Sequence, residues 1–483
     1  MDPILVTLLV VPFVGAVLCG VLPRGAKLLA ALVAALAAAL AIGAVAMAYP
    51  GTRELQFGRL PWLPGPLHAQ PLFGLLVDPL SSLVLLLVTV VGLGVVVFSS
   101  QYLSEKNAEH PYRDGDSRYY FWLLAFLGSM IWLTLSPNLL QMFIFWELTT
   151  ICSWALISHT HTEAAQRASV KALIITHLGG IGFLVALCLL FAFQKSFAFT
   201  AVGQLGAGAR TAVFVLFLVA AWAKSAQVPF HTWLPDAMEA PTPVSAYLHA
   251  AAMVKAGVFL IARLLMSSLH LPSYLGVVVA AMAMLTIFMA IMSYFRQDDL
   301  KRLLAYSTIA HLGYMFLGMA LGIWGSEVGF RGGVLHMLCH GVAKGTLFLA
   351  VGAIAYRTGT RRISQLHGLA AKMPLEATAF IVGVVAVTGI PPFATFWSKF
   401  MIFSGALQSP VGVALLVVLV AESAVSFAWL LYVAHKVFLG APSPVAAAAA
   451  APPFWMSAAL VAGMVLCLLA PVVGLPLVSH ILP

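Results

Sequence analysis

The chain has 483 residues, of which 62% are hydrophobic and only 8% charged, with a formal net charge of +9. So few charges cannot clothe a soluble protein of this length, so the composition excludes that class and points to a polytopic membrane protein. The basic excess does not indicate nucleic acid, because the lysines and arginines are scattered over short segments and form no aromatic-interleaved patch.

Long apolar runs rather than short alternating segments predict helices, since only helices or closed barrels satisfy their backbone within lipid. The expected fold is all-α integral membrane, with about fourteen spans: 3–22, 26–48, 77–99, 119–135, 138–158, 169–193, 211–227, 243–266, 274–294, 300–321, 331–355, 377–404, 411–438 and 453–478. The N-terminus, "MDPILVTLLVVPFVGAVLCG", has no basic region before its apolar run and reads as a retained first helix. The first two spans are rich in Ala, Leu and Val and read as peripheral, lipid-facing helices. Asp78 opens the third span, Glu147 lies in the fifth ("MFIFWELTTICSW") and Glu422 in the thirteenth. Cys19, Cys152, Cys188, Cys339 and Cys467 all lie in apolar segments, without the spacing of a zinc or iron–sulfur site, and read as small buried hydrophobes.

Loop cations give the orientation. On the side of residue 1 the loops carry Arg53, Arg59, Lys195, Arg210, Arg263 and Arg331; the opposite side, with Arg113 and Lys301 among its cations, carries fifteen. That opposite side is expected to be cytoplasmic, with both termini outside. Four of the 25 basic residues remain, Lys224, Lys255, Lys344 and Lys399, and all fall inside spans. A charge at bilayer depth costs about 2.5–3.5 kcal/mol even on the permissive insertion scale, so such residues face a protein interior and mark a function. Local ion pairs that staple helices account most readily for Asp78 and Glu422.

Two spans are interrupted. Pro229 follows Lys224 by about a turn in "AAWAKSAQVPFHTWLPDAMEAPTPVSAYLH", and Gly389, Pro391 and Pro392 break "AVTGIPPFATFWSKF" two turns before Lys399. Non-helical backbone survives at membrane depth only when buried or lining a wet cavity, and paired interruptions suggest inverted repeats around an ion path. The expected organisation is residues 1–118 as N-terminal peripheral helices, 119–266 and 274–438 as two inverted five-helix repeats (spans 4–8 and 9–13), and 453–478 as a last helix.

In "HMLCHGVAKGTLFLAVG", His336, His340 and Lys344 recur every fourth residue, so each drifts only about 40° from the last and the three climb about 12 Å along one helix face. One histidine on an apolar face is usually a satisfied core group; three titratable groups on a stripe can hand on a proton. Zinc is disfavoured, because no carboxylate or third histidine completes a ligand set and Lys344 opposes a cation. Glu147 and Lys224 read as a pair that approaches and separates, since a carboxylate restores the charge that desolvation removes from a lysine. His249 and Lys255 are six residues apart, about 120° on a helix, so they share no face, though both read as path members.

The segments "FWELTTICSWALI", "AKSAQVPFHTWLPDAMEAPTPVSAYLHAAAMVKAGVFLIARL", "DDLKRLLAYSTIAHLGYM", "HMLCHGVAKGTLFLAVGAI" and "TGIPPFATFWSKF" resemble the antiporter-like subunits shared by respiratory complex I, Mrp cation/proton antiporters and membrane-bound group 4 hydrogenases. The resemblance covers about residues 70 to 405. It implies that Glu147 is the essential glutamate of the fifth span and Lys224 the lysine of the broken seventh. It likewise implies that His249, His336, His340 and Lys344 form a central relay and that Lys399 is the exit lysine. Where some members carry an Arg and an Asp in the sixth span, "IITHLGGIG" has His177 and Gly180, so that charge partner is absent or different. The chain ends soon after the last span, without the long lateral helix of the distal complex I subunit, which points away from that subunit.

The resemblance implies a proton-translocating subunit of a redox-driven complex in the cell membrane, with no cofactor or metal of its own. Its partners would be other membrane subunits, lipid, translocated H⁺ with Na⁺ as the alternative ion, and indirectly a soluble redox arm. Two alternatives stay open: an Mrp-type Na⁺/H⁺ antiporter subunit, and a purely structural assembly subunit.

Overall fold

A computed structural model describes residues 3–58, 72–112, 117–267 and 269–482. Arg59 and Arg113, both used for orientation, lie outside the described residues. In chain order come α1 (Pro3–Val21), α2 (Ala26–Ala48), strands β1 (Arg53–Phe57) and β2 (Phe73–Val77), α3 (Pro79–Tyr102), α4 (Ser117–Thr134), α5 (Leu139–Ile157), α6 (Glu163–Gln194) and α7 (Ala207–Lys224). Short turns α8 (Trp233–Asp236) and α9 (Thr242–Ser245) precede α10 (Lys255–Leu265), α11 (Ser273–Tyr294), α12 (Leu300–Ile323) and α13 (Glu327–Thr358). The chain closes with α14 (Pro374–Thr388), α15 (Ala394–Leu407), α16 (Gly412–Phe438), the short α17 (Pro444–Ala447) and α18 (Phe454–Ser479).

Local chemistry sets the ends of these helices. Asp78, Asn138, Thr162, Asp299 and Ser326 each accept a backbone N–H at the start of α3, α5, α6, α12 and α13. Gly359 and Gly389 take the left-handed conformation that ends α13 and α14.

Among the described residues, twelve helical segments are long and apolar enough to cross a membrane. The expected fourth span is the 18-residue α4, and the expected twelfth is divided into α14 and α15. With apolar side chains such as Val14, Leu28, Ile174, Phe288, Val417 and Val472 turned outward around the molecule, this is a multi-pass, all-α integral membrane protein.

Five expectations need correction. Between α2 and α3, β1 and β2 pair antiparallel from Arg53↔Val77 to Phe57↔Phe73, strands that an apolar-run reading passes over. Cys188 is exposed while the other four cysteines are buried, because α6 turns one side outward along its length. The eighth span is not one α-helix: residues 246–251 form a π-helical turn, and α10 restarts at Lys255. Arg263 is no loop cation, since its buried guanidinium pairs with Asp78, Nη2 lying 3.0 Å from Oδ1. Lys301, counted as a loop cation on the opposite side, is also buried.

Helix α13 is the axis of the molecule. It is buried along its span and packs against α3, α12, α14, α15, α18 and the π turn. Such close packing requires glycine: a Cβ on Gly318 of α12 would stand 2.5 Å from the Cα of Gly333 on α13. Gly318→Leu is therefore expected to cost at least the roughly 1–3 kcal/mol of an overpacked core. A lower melting temperature of the detergent-purified protein reads it; an unchanged one contradicts this packing.

Candidate functional site

The buried ionisable residues converge on α13 and on the ends of the interrupted helices. Lys224, His249, Lys255, His336, His340 and Lys344 are completely inaccessible, and Lys399 is 4% exposed.

Lys224 is the last residue of α7. Its Nζ donates to the Trp146 carbonyl (3.0 Å) and to Thr150 Oγ1 (2.6 Å), and it stands over the Trp146 ring. It makes no direct ion pair with Glu147. Trp146 and Thr150 share one stripe of α5, and Glu147 is turned about 100° from Trp146. Glu147 instead reaches α6, where His177 Nδ1 lies 2.8 Å from its Oε2. A Cβ on Gly180 would collide with Glu147 Oε1. Both residues that depart from the family pattern thus serve one purpose: His177 is the different partner, and Gly180 leaves the carboxylate its place. His177 is more than half exposed, so this pair lies at the lateral surface.

Pro229 follows the end of α7, where the chain turns into short helical pieces. The end of α7 touches the break in the eighth span at Ser225, whose Oγ donates to the Val254 carbonyl (2.7 Å). His249, on the π turn, sits between Trp233 and Phe348. Among the described residues, neither of its ring nitrogens has a hydrogen-bond partner.

Lys255 begins α10. Its Nζ donates to the Ala250 carbonyl and lies 3.3 Å from His340 Nδ1. The expected stripe on α13 is present, but the His336 and His340 ring centres stand 5.9 Å apart. A residue the sequence reading did not single out lies between them. His311 on α12 has its ring 4.9 Å from that of His340, and its Nδ1 is 3.0 Å from His336 Nε2. His336 Nδ1 then meets Ser398 Oγ at 2.7 Å, one residue before Lys399. Lys344, a turn beyond His340, reaches the Leu304 carbonyl at 3.4 Å.

The second interruption holds Lys399. Gly389 ends α14 at φ +94°, Pro391 and Pro392 follow, and the freed Thr388 carbonyl accepts from Lys399 Nζ at 3.2 Å. Ser423 Oγ lies 2.9 Å from the same nitrogen and Glu422 Oε2 lies 4.0 Å away. Glu422 is held in turn by Tyr314 Oη and by Ser426 Oγ (2.6 Å). The carboxylate read as a local staple is thus the counter-ion of Lys399. His311 and Tyr314 were both within reach of the sequence, three residues apart in "IAHLGYM", the spacing that puts them on one helix face.

Among the described residues no group of three or more His, Cys, Asp or Glu side chains is arranged to hold a metal ion. The arrangement suits proton transfer: imidazoles that donate or accept, a hydroxyl that does both, and lysines whose stems reach them.

The fold and these buried groups define a multi-pass membrane protein built around an interior line of titratable side chains. Residues 136–426, more than half of the chain, match the family model described as NADH:quinone oxidoreductase/Mrp antiporter, TM, and residues 62–113 match complex I chain 5 N-terminus. The chain belongs to the NADH:quinone oxidoreductase/Mrp antiporter transmembrane family. It is 35% identical to a Na⁺/H⁺ antiporter subunit of Alkalihalophilus pseudofirmus over 416 residues, 80% of this chain and 50% of that protein. It is 38% identical over 347 residues to chloroplastic NAD(P)H-quinone oxidoreductase subunit 5 of Anthoceros angustus, 68% of this chain and 46% of that one. The chain thus spans about half the length of these relatives. Among solved structures, it is similar to a chain of the Mrp complex from Dietzia sp. DQ12-45-1b (TM-score 0.85, 30% identity, 99% of this chain and 51% of that). It shares its fold with a chain of an archaeal membrane-bound sulfane sulfur reductase (TM-score 0.85, 24% identity, 99% of this chain and 96% of that).

Removing one partner of a buried ion pair costs about 3–5 kcal/mol because the other charge is stranded. Glu422→Ala is therefore expected to lower the melting temperature more than Glu422→Gln, which keeps the contacts to Tyr314 and Ser426. An unchanged melting temperature in Glu422→Gln, which removes only the charge, would show that the charge of Glu422 is not what steadies Lys399.

Proposed function

We propose that this chain is a proton-translocating, antiporter-like subunit of a larger membrane complex, of the group 4 hydrogenase or complex I type. The observation that carries this reading is the succession Lys255, His340, His311, His336, Ser398 and Lys399. Its polar steps are 3.3 Å, 3.0 Å and 2.7 Å, and the His340 and His311 rings are in tilted contact, their centres 4.9 Å apart. Protons come from the cytoplasmic side near Lys224 and His249 and cross by Lys255, Lys344 and the three histidines. They leave toward the other face at Lys399, where Glu422 and Ser423 receive the ammonium. Glu147 gates Lys224 by exchanging His177 for it, and from its lateral position links the path to a neighbouring subunit.

The proposal includes fourteen crossings, two inverted repeats (119–266 and 274–438) and both termini on the non-cytoplasmic side of the cell membrane. The complex would supply other membrane subunits and, indirectly, a soluble redox arm. This chain would bring no cofactor, so the driving force arrives as changed electrostatics at subunit boundaries.

The test is proton flux in vesicles holding the intact complex. His311→Ala and Lys399→Ala are each expected to abolish flux while the complex still assembles. Near-normal flux in both would overturn the relay and leave the structural-subunit reading. A second reading, an Mrp-type Na⁺/H⁺ antiporter subunit, is favoured by the similarity to the Alkalihalophilus protein and to the Mrp structure. Sodium-dependent proton flux without any electron donor would select it; flux that requires an electron donor and ignores sodium would select the first.

A further inference from the structure

A polar cavity of about 170 Å³ opens on the face that carries the α3–α4, α7–α9 and α13–α14 connections. Glu109, His110, Tyr112, Glu239 and Arg361 line it, and Ala240 and Pro241 form its inner wall. None of these side chains belongs to the relay described above.

Arg361 ties the cavity together. Its Nε lies 3.2 Å from Glu109 Oε1 and 3.2 Å from Asp299 Oδ2, and its Nη1 donates to the Met238 carbonyl at 3.1 Å. Burial disfavours the guanidinium charge, yet Asp299, Glu109 and Glu239 outweigh that cost and hold Arg361 above the ordinary arginine value. Glu109 and Glu239 in the lining, with Asp299 behind Arg361, outnumber the two cations that face them, Arg361 and Lys301, and leave the cavity weakly acidic; an acidic recess concentrates small cations, hydronium among them.

The inner wall leads to the relay. Buried Lys301 donates to the Ala240 carbonyl at 2.6 Å. Tyr102 Oη bridges Glu109 Oε2 (2.9 Å) and Thr242 Oγ1 (3.2 Å). Ser245 and then His249 follow Thr242 on successive turns. Among the described residues, Ser245 Oγ and both His249 nitrogens are buried without a hydrogen-bond partner, and the charged neighbours of His249 are Lys301 and Lys255. Buried polar atoms in folded proteins are satisfied by protein or by ordered water. Three orphaned polar atoms, placed between an acidic cavity and Lys255, mark where water stands.

We propose that this cavity is the solvent port of the relay, taking hydrated protons at Glu109 and Glu239 and passing them by water along Ser245 to His249, with Arg361 as the positioning residue that holds its mouth narrow. The proposal rests on the relay reading for its purpose and not for its geometry. It narrows the inlet from Lys224 and His249 together to the His249 side.

The test uses the intact complex in vesicles and a membrane-impermeant cationic thiosulfonate. Ser245→Cys is expected to be labelled from the Glu109 face only, above the level of the parent chain with its own five cysteines. Labelling should be several-fold faster in the added presence of Arg361→Ala, and several-fold slower in that of Glu109→Gln, which removes a charge that draws the cationic reagent in. If Ser245→Cys itself fails to assemble, Thr242→Cys, one turn nearer the cavity, takes the same reading. Labelling reports hydration whether or not protons move, so failure of the relay reading leaves this test in force. Glu239→Gln should also slow proton flux several-fold. No labelling above the parent in either background, or labelling from the opposite face, overturns the port.

Discussion

A lysine hidden from lipid must give its protons to something, and here that acceptor is the main chain. Lys224 donates to the carbonyl of Trp146, Lys255 to Ala250, Lys301 to Ala240, Lys344 to Leu304 and Lys399 to Thr388. A carbonyl satisfies an ammonium without bringing a compensating charge that would itself be stranded when the lysine becomes neutral. Three of the five carbonyls are available because regular α-helix is interrupted: Ala250 on the π turn, Ala240 in the connection after α7, and Thr388 at the end of α14. Broken helices and buried lysines are thus two halves of one arrangement, and the close glycine packing of α12 against α13 provides the dry walls around it.

Carboxylates enter only at the margins. Glu147 lies toward the lateral surface with His177, and Glu422 stands beside Lys399 at the far end. Between them the path is imidazole, hydroxyl and amine. That composition favours small, reversible changes of protonation over deep ion-pair traps, because the net cost of neutralising each group is borne by hydrogen bonds that survive the change.

What could be read from the sequence was whatever repeats locally. Four basic residues left over after the loops were counted, a His-His-Lys stripe at four-residue spacing, and glycine and proline inside apolar runs all announced the interior path. What could not be read depends on distant chain segments meeting. Arg263 and Asp78 are 185 residues apart, and only the folded chain turns a cation assigned to a loop into a buried partner. That His311 stands between His336 and His340 follows only from the packing of α12 against α13. The pairing of Glu147 with His177 rather than Lys224 follows from side-chain direction on α5 and from the space at Gly180, neither of which spacing reveals. The π turn was invisible because one extra residue in a helical turn leaves no mark in composition.

That turn has a consequence for how the chain can vary in length. Residues 246–251 make the wide turn that fixes how His249 and Lys255 are turned relative to each other. Deleting one residue would close it to an ordinary α-turn and swing everything on one side by about 100°. Homologous chains should therefore keep a fixed count between Thr242 and Lys255.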